Sequence, residues 1–150
     1  MSGILVGVDG SGHSQRALEW AAKEAALRHT SLTVLTVQQA VAGFWGGTLD
    51  YAEDRSLVDK ARELAQAETD QVMAGLGESR PESVTVRAVH GYPAEELINA
   101  SADADVIVLG RRGAGGFSRH PLGSVSTQVV HHAHCPVLLL PVDPAHKQSR

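Results

Sequence analysis

Aromatic side chains are scarce in this sequence: they make up 4% of its 150 residues, whereas hydrophobic residues of all kinds make up 43%. A folded core must therefore be built from aliphatic side chains and alanine. The chain has one cysteine, Cys135, which excludes an intrachain disulfide and gives no indication of an oxidising compartment. No apolar run approaches the ~20 residues that a membrane span requires, and no basic segment introduces an N-terminal apolar stretch. We therefore expect a cytoplasmic protein.

Positive charge is also limited, since 13 Lys and Arg stand against 17 Asp and Glu for a net charge of −4. No basic run supplies the charge that neutralises phosphate backbones, so neither nucleic acid nor a membrane surface is expected as the main partner. The length predicts a single domain over residues 1–150 whose polar tail, from Asp143 onward, is frayed.

Short apolar runs alternate with segments of helical spacing along the chain. The predicted strands are 4–9, 32–37, 84–89, 106–109 and 137–140. The predicted helices are 14–29, 56–77, 93–103 and 123–134. Residues 39–55 show no clear period and are predicted to form a long loop that could contain a helical turn. Its aromatic residues Phe44, Trp45 and Tyr51 fit either a lid over a ligand or an attachment to the sheet edge.

This alternation predicts an α/β fold, a Rossmann-like open parallel sheet with two helices on each face. The natural order of five such strands is 3-2-1-4-5, in which the winding reverses between strands 1 and 4. Ligands of open α/β sheets lie at this switch point, beyond the carboxyl ends of the strands. The turn after Asp9 and the loop after Leu109 are therefore the candidate binding segments.

The loop after strand 4 is rich in glycine and leads into a helix. Its glycines are Gly110, Gly113, Gly115, Gly116 and Gly123. Glycine allows a close approach of the backbone to a ligand, and the N–H groups of a helix N-terminus suit phosphate. Ser124 and Ser126 add hydroxyl donors. The same composition also fits a flexible loop in which Ser124 only caps the helix.

Other phosphate-binding motifs are missing from the sequence. It contains no G-x-x-x-x-G-K-[ST] and no complete dinucleotide-binding fingerprint. The first turn also lacks the S-G-G-x-D-S run of ATP pyrophosphatases. The remaining motif, Gly110-x2-Gly113-x9-Gly123-Ser124, resembles the signature of the ATP-binding branch of the universal stress protein family.

Three further stretches resemble the same family, and the likeness extends from Gly3 to Val142. They are 6–11 at the opening, the Gly91-Tyr92-Pro93 turn with the residues after it, and 132–137 at the close. The segment 39–55 varies widely in the family, so the resemblance implies no role for any of its residues. The resemblance implies a fold like that of adenine nucleotide alpha hydrolases.

The resemblance also implies a binding site for ATP, with Mg²⁺. Asp9 and Val37 would hold the adenine edge, and the backbone around Gly7 and Val8 and around Gly110 would hold the ribose. The residues implied around the phosphates are Gly113, Gly123, Ser124, Val125 and Ser126. Arg112, like Arg111, flanks this place and either contacts phosphate or is solvated. Asp9 also fits an Asx-turn and Val37 also fits plain core.

The phosphate loop carries no acid, because no Asp or Glu occurs between Asp105 and Asp143. ATP hydrolysis needs a group to position water and a means to neutralise developing charge. We therefore expect nucleotide to be held with slow or no turnover rather than an enzyme. The resemblance implies a regulatory module of the stress response with weak ATPase activity at most. The alternatives are a nucleotide-free interaction dimer of the same fold and a true phosphohydrolase or nucleotidyl-transfer enzyme.

The last predicted strand, 137–140, is wholly apolar yet lies at an edge of the sheet. Exposed apolar edges are normally covered, so two copies are expected to pair these strands in a homodimer. The resemblance implies the same, and the alternative is that the tail from Asp143 shields the edge.

His131, His132 and His134 are predicted to be solvated rather than metal ligands, and Cys135 is predicted to pack as a small apolar group.

Overall fold

A computed structural model describes residues 3–39, 51–111 and 123–141, with the backbone alone for 51–54. The strands are β1 (Ile4–Val8), β2 (Ser31–Gln39), β3 (Ser83–Gly91), β4 (Val106–Gly110) and β5 (Val137–Leu140). The helices are α1 (Gly12–Leu27), α2 (Tyr51–Leu76), α3 (Pro93–Ser101) and α4 (Ser124–His132). None of the helices in these ranges is long and apolar enough to cross a membrane.

The five strands form one parallel sheet in the order β3-β2-β1-β4-β5, as predicted. β1 is central, with Val6 paired to Val34 of β2 on one side and to Val108 of β4 on the other. All five residues of β1 are buried, which explains why its sequence is apolar without alternation. The predicted switch point between β1 and β4 is confirmed.

Two hydrophobic clusters fill the two faces of the sheet. One joins the sheet to α1 and α2 and includes Leu18 and Ala65, while the other joins it to α3 and α4 through Leu97 and Val129. Each face thus carries two helices, as predicted. Alanines at 17, 21, 22 and 25 let α1 lie close to the sheet, and among the described residues the buried core contains no aromatic side chain.

The segment 39–55 differs from the prediction at both ends. Gln39 is the last residue of β2, and α2 begins at Tyr51, so 51–55 are helical rather than part of a loop. This part of α2 lacks an apolar stripe, so hydrophobic periodicity could not indicate it. Residues 40–50, with Phe44 and Trp45, lie outside the described part of the chain.

Ser101, the last residue of α3, holds the segment that follows α4. It is fully buried, its hydroxyl donates to the carbonyl of Ile98 at 2.6 Å, and it accepts from the backbone N–H of His134 at 2.9 Å. A buried hydroxyl lowers stability unless it is hydrogen-bonded, and this one makes two hydrogen bonds. Together they fix the chain just before β5. Cys135 packs partly buried against the second cluster, as predicted, and burial raises the pKa of its thiol.

Candidate functional site

The turn after β1 is held by its own side chains. Asp9 Oδ1 accepts from the backbone N–H of Ser11 at 2.9 Å, which confirms the predicted Asx-turn. Ser11 caps α1 by accepting from the N–H of Ser14, and the Ser14 hydroxyl accepts from the N–H of Asp9, at 3.2 and 3.1 Å. Gly10 has φ +84°, a value that favours glycine. The position of the Asp9 carboxylate is therefore fixed before any ligand arrives.

Glycines at the ends of β1 and β4 allow close packing around the switch point. A Cβ atom at Gly110 would lie 2.9 Å from the carbonyl oxygen of His13, in the first turn of α1. A Cβ atom at Gly7 would lie 2.8 and 2.9 Å from methyl groups of Leu109 and Leu97. Both predicted site glycines thus have a packing role within the fold.

The ends of the glycine loop meet in a neck formed by Arg111 and Gly123. The N–H of Gly123 donates to the carbonyl of Arg111 at 2.7 Å, and the N–H of Arg111 donates to the carbonyl of Leu140 at 3.0 Å. The neck therefore joins β4, α4 and β5 at one point. Residues 112–122, which include the predicted Arg112 and Gly113, lie outside the described residues.

α4 starts immediately after the neck, with Gly123 as its N-cap and without a side-chain cap bond. The first N–H groups of a helix lack intrahelical partners and carry partial positive charge. Ser124 is exposed there and Val125 is half-buried. The arrangement gives the carboxyl end of β4 an amide cluster suited to an anion.

Ser126, predicted to lie near the phosphates, also has a structural role that the sequence did not indicate. Its side chain is buried, and its hydroxyl donates to the carbonyl of Gly110 at 2.8 Å. A hydroxyl has a single proton to donate, so in this arrangement Ser126 fastens α4 to β4. Of the two predicted serines, Ser124 is the exposed one.

A cleft of about 270 Å³ opens between the carboxyl ends of β1 and β2 and one face of α2. Its lining from the strands includes the predicted Val8, Asp9 and Val37. Val37 also packs against the second hydrophobic cluster, so it is both core and lining. Since β1 lies between β2 and β4, the cleft and the α4 N-terminus flank the same strand end.

The contribution of α2 to the cleft was missed in the sequence. The lining residues from α2 are Leu57, Lys60, Ala61, Leu64, Ala65 and Glu68. Partial burial and, secondly, the negative charge of Asp9 raise the pKa of Glu68. The sequence did contain a sign of this role. Glu68 lies three residues after Ala65 and four after Leu64, so an acid continues the apolar stripe of the helix.

The predicted histidines are exposed. His131 and His132 lie on the solvent side of α4, and His134 follows the helix. The prediction of a solvated face is confirmed for these three residues.

Comparison with known proteins gives a consistent relationship. The model of the universal stress protein family matches residues 1–141. Universal stress protein Rv1996 of Mycobacterium tuberculosis is 35% identical over 154 residues, which cover 95% of this chain and 49% of the relative. The chain thus spans about half the length of the curated relatives that it matches.

Solved structures show the same fold and sheet arrangement. A universal stress protein in complex with cAMP is 25% identical with a TM-score of 0.60, covering 93% of this chain and 96% of that one. The universal stress protein from Archaeoglobus fulgidus in complex with dAMP is 26% identical with a TM-score of 0.56, covering 93% and 97%. On the family match, the sequence identity and the fold together, the chain belongs to the universal stress protein family.

Proposed function

We propose that the chain binds ATP, with Mg²⁺, and acts as a nucleotide-dependent regulatory module of the stress response. The observation that carries the proposal is the placement of the cleft and the α4 N-terminus on two sides of the β1 end. A nucleotide matches this arrangement, because it has a planar base at one end and an anionic phosphate tail at the other. Two structural neighbours hold adenine nucleotides, cAMP and dAMP, which supports the same ligand class.

In this proposal Asp9 and Val37 contact the base, the backbone around Gly7, Val8 and Gly110 contacts the ribose, and the phosphates lie against the α4 N-terminus. The backbone N–H groups of Ser124 and Val125 and the Ser124 hydroxyl would supply hydrogen bonds to the phosphate oxygens, while the N–H of Gly123 donates to the carbonyl of Arg111. Arg112 and Gly113, which the motif assigns to the phosphate side, lie outside the described residues. Mg²⁺ would be held mainly through phosphate oxygens and water, since 106–142 contains no carboxylate.

Turnover is proposed to be slow or absent. The acids near the site, Asp9 and Glu68, line the cleft on the base side. Phosphoryl transfer requires a water-positioning group at the terminal phosphate, on the other side of the β1 end. The chain is therefore proposed to hold nucleotide and respond to it, in the cytoplasm, rather than consume it.

We also propose a homodimer through β5. Val137, Leu138 and Leu139 are only half-buried, and Leu140 alone of the strand is buried. β4 pairs with one side of β5, and no strand of the described residues pairs with its other side, where a second copy could pair instead. A two-fold axis would bring the two edges together.

Analysis of nucleotide in the purified protein tests the main proposal. We expect mass spectrometry to detect ATP released by denaturation, and calorimetry of nucleotide-stripped protein to show ATP binding in the presence of Mg²⁺. A stripped protein that shows no heat with ATP, ADP, AMP or cAMP would support the nucleotide-free interaction dimer instead.

A further inference from the structure

The α2 wall of the cleft exposes apolar surface. Its lining side chains follow one helix face, and two of them, Leu57 and Leu64, are 39% and 61% exposed. Ala61 lies between them on the same face and leaves room beside the wall. A flat heterocycle placed against this face would remove the two leucines from water, which is favourable.

Charge in the cleft is mainly negative among the described lining residues. The ionisable groups there are the carboxyls of Asp9 and Glu68 and the ammonium of Lys60. The charge of Asp9 contributes to the raised pKa of Glu68, so the two carboxyls act on each other. Phosphate is disfavoured in such a place, whereas an uncharged ring with hydrogen-bond donors is favoured. The cleft thus suits the base and the α4 N-terminus suits the phosphates.

We propose that Glu68 is a specificity-determining residue, which accepts a hydrogen bond from the exocyclic amino group of the base. The inference rests on the proposed nucleotide binding and adds a residue of α2 to it. An ionised carboxylate is an acceptor only. A base that presents a carbonyl at that position, as hypoxanthine does, would place two acceptors against each other. Glu68 and Asp9 together would therefore select adenine over hypoxanthine.

The test compares ATP with inosine triphosphate, which has a carbonyl in place of the amino group. Calorimetry at neutral pH would measure both ligands with the wild-type chain, Glu68→Gln and the control Glu63→Gln. Glu63 is exposed on the same helix and outside the cleft lining, so its variant loses the same charge elsewhere. Thermal melting of all three proteins would verify that they are folded.

We expect the wild-type chain to prefer ATP by about tenfold or more, as for one charge-assisted hydrogen bond. Glu68→Gln should lose most of this preference through weaker ATP binding, because an amide can turn either its carbonyl or its NH₂ to the base. Glu63→Gln should keep the preference.

Two results would overturn the inference while leaving nucleotide binding by the wild-type chain intact. These are an unchanged ATP preference in Glu68→Gln, whether or not that variant binds both ligands more weakly, and the same loss of preference in Glu63→Gln. A wild-type chain that binds neither triphosphate would instead refute the proposed function, and this inference with it.

Discussion

The hydroxyl of Ser126 donates a 2.8 Å hydrogen bond to the carbonyl oxygen of Gly110 and thereby fastens the first turn of α4 to the end of β4. The predicted site therefore contains two serines of different kinds. Ser126 is buried and occupied within the fold, whereas Ser124 is exposed at the helix start. Substitutions at the two positions should separate stability from binding.

Ser126→Ala should lower the free energy of unfolding by about 1–3 kcal/mol, because it leaves the Gly110 carbonyl without this donor. Ser124→Ala should leave the melting temperature nearly unchanged and weaken ATP binding several-fold. Thermal melting and calorimetry of both variants measure the two effects. The assignment of roles is wrong if Ser124→Ala is the less stable protein.

Gly110→Ala should destabilise the fold by about 1–3 kcal/mol, since the new Cβ would press against the backbone of His13. Gly75→Ala is the control: Gly75 lies in α2, and a Cβ there meets nothing within 4 Å. That variant should be more stable than the wild type by up to about 1 kcal/mol, because alanine favours helix. Urea unfolding of both variants should show opposite shifts, and shifts of the same sign would contradict the packing role of Gly110.

Glu68→Gln should stabilise the protein at neutral pH. The pKa of Glu68 is raised in the folded chain, and an unfolded glutamate titrates near ~4.3. The folded state therefore binds the proton more tightly, so the contribution of Glu68 to stability is complete below pH ~4.3 and is lost as the pH rises through the raised value. The advantage of Glu68→Gln over the wild type should accordingly shrink on acidification. Melting curves of both proteins between pH 4 and 8 measure this difference in stability. A difference that grew at low pH would contradict the raised pKa of Glu68.

Leu139→Lys should dissociate the proposed homodimer, because it puts a charge on the half-buried face of β5. ATP binding should survive, since Leu139 belongs neither to the cleft lining nor to the first turn of α4. Val84→Lys supplies the control at the other edge strand, β3, where Val84 is exposed. Sedimentation at tens of micromolar should give a monomer for Leu139→Lys only. A monomeric wild type would refute pairing through β5.

Phosphate release from ATP should occur on the order of once per minute or less, against ~1–10³ per second for typical enzymes. A single-turnover assay with nucleotide-stripped protein measures it. Release at several per second, retained through further purification and lost on Gly123→Asp, would make the chain an ATPase.

The strand order could be predicted because each buried strand is a short apolar run and each crossover contains a helical stripe, as in β1 and α1. The start of α2 at Tyr51 could not, since helix there has no apolar face to give it a period. Asp9 and Val37 line one cleft, but only the turn after Asp9 was indicated by the switch point of the sheet, whereas Val37 was implied by the family resemblance. The place of Glu68 in the cleft and the bond of Ser126 depend on how α2 packs against β1 and β2 and how α4 packs against β4, which the spacing of residues within one helix does not fix.

The N–H of Gly123 donates a hydrogen bond to the carbonyl of Arg111, so the stability of the sheet depends little on the length of the glycine loop between them. The chain is tied at both ends of 112–122 by a backbone bond that involves none of the residues between them. In general, the entropy of closing a chain segment between two tied ends grows slowly, by about 0.6 kcal/mol for a doubling in length. The segment can therefore vary in sequence and length while β4, α4 and β5 keep their places. Recognition of different anionic groups can evolve on this scaffold without a new fold.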